Sequence, residues 1–375
     1  MRVAIVHDWA VSMRGAERVL ESLCRLYPKA PIFTLSHQAQ GLSAELAGRA
    51  FHDSFLHRWA RWLPPGGPGF RLFLPLFPAA IESFRLDGFD LIVSSSHAVA
   101  KGVRVPPGAR HVSYVHSPMR YIWEARADYA PSVPGGRLGR AAFGLTARYL
   151  RRWDRASTAR VDLLIANSLY TRERIRSSYG RDAVVLEPPV DVERFATVPD
   201  LPAPGGAPVY LCVSALVPYK RVDLAVRAFA ARQGPGRLVV VGDGPERARL
   251  ERLGGPRVTL RGRVDDGELL RLYGQCRAVI HPALDDWGIV PREALAAGRP
   301  VVVFARGGAA DAAGDGGVAF PEPTAASLNA ALDRLESMTF DSARLRAAAR
   351  RFDRATFEAR FAALVDAELA RPRRR

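Results

Sequence analysis

The chain has 375 residues, 48% of them hydrophobic, and a formal net charge of +16. That length is long for one core and suits two domains, and the composition is that of a globular protein. Three cysteines without paired spacing argue against a disulfide framework and a zinc site, and fit a reducing compartment. No apolar run approaches the roughly 20 residues needed to span a bilayer. The strand-like VAIVHDW after Met1-Arg2 comes too early for a signal peptide. The expected location is the cytoplasm, or peripherally the inner face of the plasma membrane. The basic surplus suits polyanions such as nucleic acid, anionic lipid or phosphorylated substrates. An arginine-rich bias accounts for much of it without any function.

The elements follow in order. Val3 to Val6 is a buried strand ending in His7-Asp8-Trp9, and Gly15 sits at the turn into a helix carrying Val19, Leu20, Leu23 and Leu26. Glycine there lets backbone approach a phosphate closely. Residues 51–86 interleave Phe55, Trp59 and Trp62 with Arg58, Arg61 and Arg71, broken by Pro64-Pro65-Gly66-Gly67-Pro68. Two readings stand side by side: an interfacial segment on an anionic membrane, or an amphipathic helix packed into its own domain. Asp90 to Val93 and His111 to Val115 are further strands, the second stopped by Pro118, so His116 lies at its C-terminal end. That edge of an open parallel sheet is where ligands bind. Val161 to Ala166 is another strand, and Thr171 is expected to cap the next helix. Glu187-Pro188-Pro189-Val190-Asp191 closes this region, and residues 198–208 read as a linker.

Val209 to Ser214 opens a second α/β domain. Lys220 lies at its first strand-to-helix turn, where a cation suits a diphosphate, although a solvated lysine at a helix start is the commoner case. Leu238 to Val241 runs into Gly242-Asp243-Gly244-Pro245, and Arg263-Val264 follow the next strand. The two glycines are expected to set the turn. A strand over Cys276 to Ile280, an acidic loop with Asp285 and Asp286, Trp287-Gly288, a helix, and a strand over Val301 to Phe304 form one βαβ unit. Pro291 and Glu293 suit the helix's first turns, and Gly298 suits its C-terminal stop. Amides at such an N-terminus can face an anion. Helices follow to about Met338. Phe352 to Leu369 is amphipathic, and the arginines from Arg371 onward read as a basic tail.

The string from Asp285 to Val301 resembles the EX7E segment of retaining family-4 glycosyltransferases of the GT-B fold. Asp285 and Glu293 take the places of the two acids, and Asp285 departs from the family's glutamate by one methylene. HSPMRYIWE, from His116 to Glu124, resembles a mannosyltransferase branch of surface-polysaccharide assembly, the WbaZ-like group. The resemblance covers nearly the whole chain. It implies an α/β protein with two Rossmann-like domains facing a cleft: residues 1–197, which bind acceptor, and 209–352, which bind the nucleotide sugar. A C-terminal helix near 353–370 crosses back to the first. It implies catalytic roles for His116, Asp285, Glu293 and Lys220. Donor contacts fall on Gly15, Ser214, Lys220, Arg221, Asp243, Arg263, Val264, Trp287, Gly288, Ile289, Val290 and Glu293. Arg221 is placed to compensate for Ala215, where the family often has arginine. Arg58, Trp59, Arg61 and Trp62 are the acceptor or membrane residues.

Under this resemblance the reaction moves a hexose, best matched by mannose from GDP-mannose, with retention of configuration. The acceptor is polyprenyl-diphosphate-linked or a saccharide. No cofactor and no metal site is implied, cationic side chains and helix ends standing in for Mg²⁺ at the diphosphate. Two other classes compete. One is a basic nucleic-acid-binding protein, which lacks a recognisable binding module. The other is an inactive relative scaffolding a membrane complex, which Ala215 and Asp285 keep open.

Overall fold

The computed structural model describes all residues except 60–61, 64–68, 124–135, 204 and 373–375. Arg61, the Pro64–Pro68 run, Glu124 and the last three arginines therefore lie outside the described residues. The chain divides into two compact units, Met1–Pro189 with Phe357–Arg375, and Val190–Thr356.

Among the described residues the first unit holds seven strands: β1 (Val3–His7), β2 (Ile32–Thr34), β3 (Phe51–Asp53), β4 (Leu91–Ser96), β5 (Arg110–Val115), β6 (Leu163–Ala166) and β7 (Val184–Val185). Their order is β3-β2-β1-β4-β5-β6-β7, and every pairing is parallel. A parallel sheet needs apolar residues on both faces, because its crossovers cover both. Alternation along β1 shows this. Ile5 packs with Val19, Leu20 and Leu23 of helix α1 (Gly15–Leu26). Ala4 and Val6 pack on the other face with Phe70, Phe77 and Leu150, the last from helix α2 (Gly136–Ser157).

The second unit holds β8 (Val209–Val213), β9 (Arg237–Val241), β10 (Val258–Gly262), β11 (Ala278–His281), β12 (Val301–Phe304) and β13 (Gly317–Phe320), in the order β10-β9-β8-β11-β12-β13. All of these pairings are parallel too. In each sheet the winding reverses once: between β1 and β4, and between β8 and β11. Loops leaving the carboxyl ends of those strand pairs diverge, and that is where open α/β sheets bind ligands.

Helix α3 (Ile289–Ala296) follows the acidic loop. It stops where expected. Gly298 takes φ 75°, its N–H donates to Leu295, and Arg299 N–H reaches the Ala294 carbonyl at 2.8 Å. Helix α4 (Arg354–Leu369) carries Phe357, Phe361 and Val365 into the core of the first unit, beside Ile5 and Tyr114.

Two sequence expectations need correction. Residues 198–208 are not a detached linker: Val198 is buried, and Leu201 N–H donates to the Gly274 carbonyl at 3.0 Å. The units meet in the chain at Pro189–Val190 instead, inside the Pro-rich Glu187–Asp191 stretch. Thr171 does not cap its helix. Ser168 does, its hydroxyl accepting from Thr171 N–H at 3.0 Å, because the helix begins three residues earlier than a Thr171 cap would start it.

Candidate functional site

The reversal point of the second sheet brings together residues far apart in sequence. A loop leaves β8 and ends in a short turn, Pro218–Lys220. The loop leaving β11 carries Asp285. Lys220 Nζ donates to both carboxylate oxygens of Asp285, at 2.8 and 2.7 Å. His281, the last residue of β11, places Nε2 3.0 Å from Asp285 Oδ2. The three side chains form a gradient of exposure: Lys220 23%, Asp285 12%, His281 5%. Burial opposes the charge on Asp285, but Lys220 and His281 outweigh it and hold the carboxyl well below its usual range. Asp285 is thus a buried anion with an ammonium on its outer side.

The acidic loop is shaped by a second, glycine-rich loop. Gly308 N–H donates to the Asp285 carbonyl at 2.9 Å, and a Cβ on Gly308 would lie 2.0 Å from the Asp286 carbonyl. Gly288 takes φ 79° as the N-cap of α3, packed against Ala309. Arg292 clamps both loops. It is fully buried, and its guanidinium donates to the Trp287, Gly288 and Gly308 carbonyls. Sequence reasoning missed Arg292 and His281. An arginine on a helix looks solvated until the second loop folds over it.

Several expected donor contacts are placed differently from the sequence reading. The Trp287 indole is in the core, 4.8 Å from the Arg292 guanidinium carbon and 5.6 Å from the Phe352 ring, so only its backbone remains for a ligand. Arg221 adopts φ 50°, rare for a residue with a side chain, and its Nε donates to Asp223 at 3.1 Å while the side chain stays partly exposed. Glu293 is buried, with Tyr273 Oη donating to it at 3.3 Å. Gly242 and Gly244 are turn glycines: a Cβ on either would strike the Ser214 or Leu216 carbonyl. Ser214 follows β8 and is half-buried. Asp243 and Arg263 are exposed beyond β9 and β10, with Val264 half-buried beside them, all at the same carboxyl edge.

The first unit carries its own cluster at its reversal point. Asp8, just past β1, is fully buried and accepts from four backbone N–H groups, those of His97, Ala98, Val99 and Ala100, at 2.6–2.9 Å. His97 Nδ1 lies 3.1 Å from Asp8. Burial opposes that carboxylate, yet His97 and these bonds hold it well below the usual range. The His97 imidazole is raised in turn, Asp8 outweighing burial. Ser95 Oγ bridges His7 Nδ1 at 3.1 Å and His116 Nε2 at 2.8 Å. Burial, then the neighbouring His97, pushes His7 down to about 4 and His116 well below the usual imidazole range. His116 is therefore neutral at physiological pH, at the end of β5. The rest of its string is largely scaffold: Met119 and Ile122 are buried, and Trp123 Nε1 donates to Asp154 at 2.7 Å. Gly15 begins α1 with open space in front of it, since a Cβ there would meet nothing within 4 Å.

Residues 51–86 divide between the two readings. Leu56, Phe70, Leu74, Phe77 and Ile81 are core, and Phe55 packs against them. Trp59 and Trp62 stay 62% and 81% exposed, and Arg58 and Leu72 are exposed as well. Helix α2 packs against the Phe70–Leu76 turn and adds exposed Leu145, Arg148, Tyr149 and Arg152.

Comparison with known proteins gives matches over both units. Residues 13–194 match the family model described as Glycosyltransferase Family 4, and residues 193–352 the one described as Glycosyl transferases group 1. A GDP-mannose-dependent alpha-(1-6)-phosphatidylinositol monomannoside mannosyltransferase of Mycolicibacterium smegmatis is 33% identical over 180 residues, 41% of this chain and 47% of that protein. The protein of the same description from Mycobacterium tuberculosis is 28% identical over 264 residues, 61% of this chain and 69% of that one. The chain thus spans about half the length of the first relative and two thirds of the second. Among solved structures, sucrose-phosphate synthase from Thermosynechococcus elongatus superposes with a TM-score of 0.70 at 18% identity, covering 99% of this chain and 100% of that one. Anabaena HepE in complex with UDP-glucose superposes at 0.66, also at 18% identity, covering 98% and 100%.

Proposed function

The chain belongs to the family-4 glycosyltransferases of the GT-B fold, and from that premise we propose that it transfers a hexose from a nucleotide sugar, with retention of configuration. The donor we infer is GDP-mannose, on the strength of GDP-mannose-dependent relatives near 30% identity. The acceptor is lipid-linked or a saccharide, as in surface-polysaccharide assembly.

One observation carries the reading: a partly exposed ammonium, Lys220, fixed on Asp285 at the reversal point of the second sheet, near the N-terminus of α3. Loss of a nucleoside diphosphate develops negative charge on the leaving oxygen. A preorganised ammonium and the amides of Gly288 to Val290 stabilise that charge without reorganising. Glu293 is the ribose acceptor in this scheme. Neutral His116 contributes a hydrogen bond to the sugar, and cationic side chains take the place of a metal at the diphosphate.

The first unit takes the acceptor and docks on an anionic bilayer. Between Asp53 and Glu82 the sequence has no acid, and the exposed tryptophans there stand beside Arg58. The acid of α2, Asp154, is buried on Lys101 at 2.6 Å, which leaves the exposed face of that helix basic. No helix among the described residues is long and apolar enough to cross a membrane.

The test is a thermal-shift screen against GDP, UDP, ADP, CDP and dTDP and their sugars, because a ligand of the folded state raises its stability by mass action. Stabilisation by GDP and GDP-mannose above the others, followed by mannose transfer that persists in excess EDTA, is the expected outcome. Preference for another nucleotide would replace the donor, and no response to any would remove the reading.

A further inference from the structure

We propose that His281 is a positioning residue that makes the short acid at 285 work, by fixing Asp285 so that it aims Lys220. This rests on the donor-site reading above and adds a residue to it.

The argument is geometric. The backbone at Asp285 cannot shift freely. Its carbonyl accepts from Gly308 N–H at 2.9 Å, and Gly307 approaches so closely that a Cβ there would stand 2.6 Å from that same carbonyl. A glutamate in this place would extend its carboxylate about 1.5 Å further. An aspartate must instead be met where it ends. Lys220 comes from the loop after β8, and His281 comes from β11, four residues before Asp285 and 95% buried as a side chain. Nε2 of His281 lies 3.0 Å from Oδ2, so one carboxylate oxygen is shared between imidazole and ammonium.

An ammonium has three N–H groups. Asp285 takes two of Lys220's, which leaves one for a ligand. The direction of that third N–H follows from the plane of the carboxylate. His281 Nε2–H pins the plane from behind, on the side away from solvent. Without it the Asp285 carboxylate can rotate about its Cβ–Cγ bond, and Lys220 turns with it. The relay runs His281, Asp285, Lys220, leaving oxygen. It is the logic of a reactive group oriented by a second and a third.

The experiment has a part that needs no activity. An imidazole ¹H–¹⁵N spectrum of the full chain should show His281 protonated on Nε2, with that signal moved in Asp285→Asn. The tautomer protonated on Nδ1 alone overturns the proposal. The kinetic part measures GDP affinity by calorimetry and single-turnover mannose transfer from GDP-mannose. His281→Ala should lose at least tenfold in the transfer rate while GDP affinity changes less than threefold. His281→Gln, which returns an N–H near the Nε2 position, should recover most of the rate. A rate for His281→Ala within twofold of wild type overturns the proposal, as does a Gln variant no better than Ala. If wild type itself binds no nucleotide and transfers nothing, the donor-site reading has failed, and the spectrum still decides the His281–Asp285 bond.

Discussion

Each sheet places a buried aspartate beside at least one histidine at its reversal point, and the two aspartates are held differently. Asp8 is saturated by four backbone N–H groups and His97, with no exposure. Asp285 is held by side chains alone, Lys220 and His281; the partly exposed partner is a lysine at Asp285 and an imidazole, His97, at Asp8. A carboxylate tied to backbone amides can only fix a loop. One tied to a partly exposed lysine can pass a change on to a ligand. On the function proposed above, the same residue type at equivalent topological positions is scaffold in the first unit and a working part in the second.

Asp8→Ala should break the first of these most severely. It strands four buried amide donors and the His97 charge, and removing one partner of such a buried set costs about 3–5 kcal/mol of stability. Denaturant unfolding measures it. An Asp8→Ala protein as stable as wild type would erase the distinction between the two sites. Lys220→Ala should act on the other side of the comparison. The protein stays folded, and kcat/KM for the donor falls by about 2–4 kcal/mol. Activity within twofold of wild type would remove Lys220 from the site.

Acid should separate scaffold from site by another route. His7 and His111 are both pushed down to about 4 by burial, so the unfolded chain binds their protons first as pH falls. Their contribution is complete above pH 6.5 and is lost between about 6.5 and 4, at about 1.4 kcal/mol per pH unit for each histidine. Urea midpoints at pH 7, 6 and 5 should fall accordingly, and His111→Asn should flatten the slope. An unchanged slope in that variant would mean His111 is protonated in the folded protein. The smallest effect concerns the surface. Each basic residue near an anionic bilayer contributes about 1 kcal/mol, screened by salt. Vesicle sedimentation should show weaker binding for Arg58→Glu and for Trp59→Ala/Trp62→Ala, and unchanged partitioning in both would leave these side chains without a membrane role.

Much of the fold was legible because parallel strands announce themselves as short apolar runs and their helices as 3.6-residue periods. That His116 directly follows a strand, and that Lys220 and Asp285 lie in loops leaving strands, followed from that alone. What stayed hidden depends on contacts across the reversal points. Lys220 and Asp285 are 65 residues apart, and Asp8 and the amides it binds are about 90 apart. No local pattern marks Asp8 as a loop anchor, Arg292 as a clamp or His281 as a partner of Asp285. Trp287 is the converse case: a tryptophan beside an acidic loop reads as a side-chain contact, and its packing against Phe352 places the indole in the core.

The central claim is that Lys220, held by Asp285, receives a nucleoside diphosphate. Calorimetric titration of GDP into the full chain and into Lys220→Ala tests it most directly. Binding by wild type that weakens tenfold or more in the variant, measured where both proteins are fully folded, is the expected result. Equal GDP affinity in the two proteins would contradict the claim.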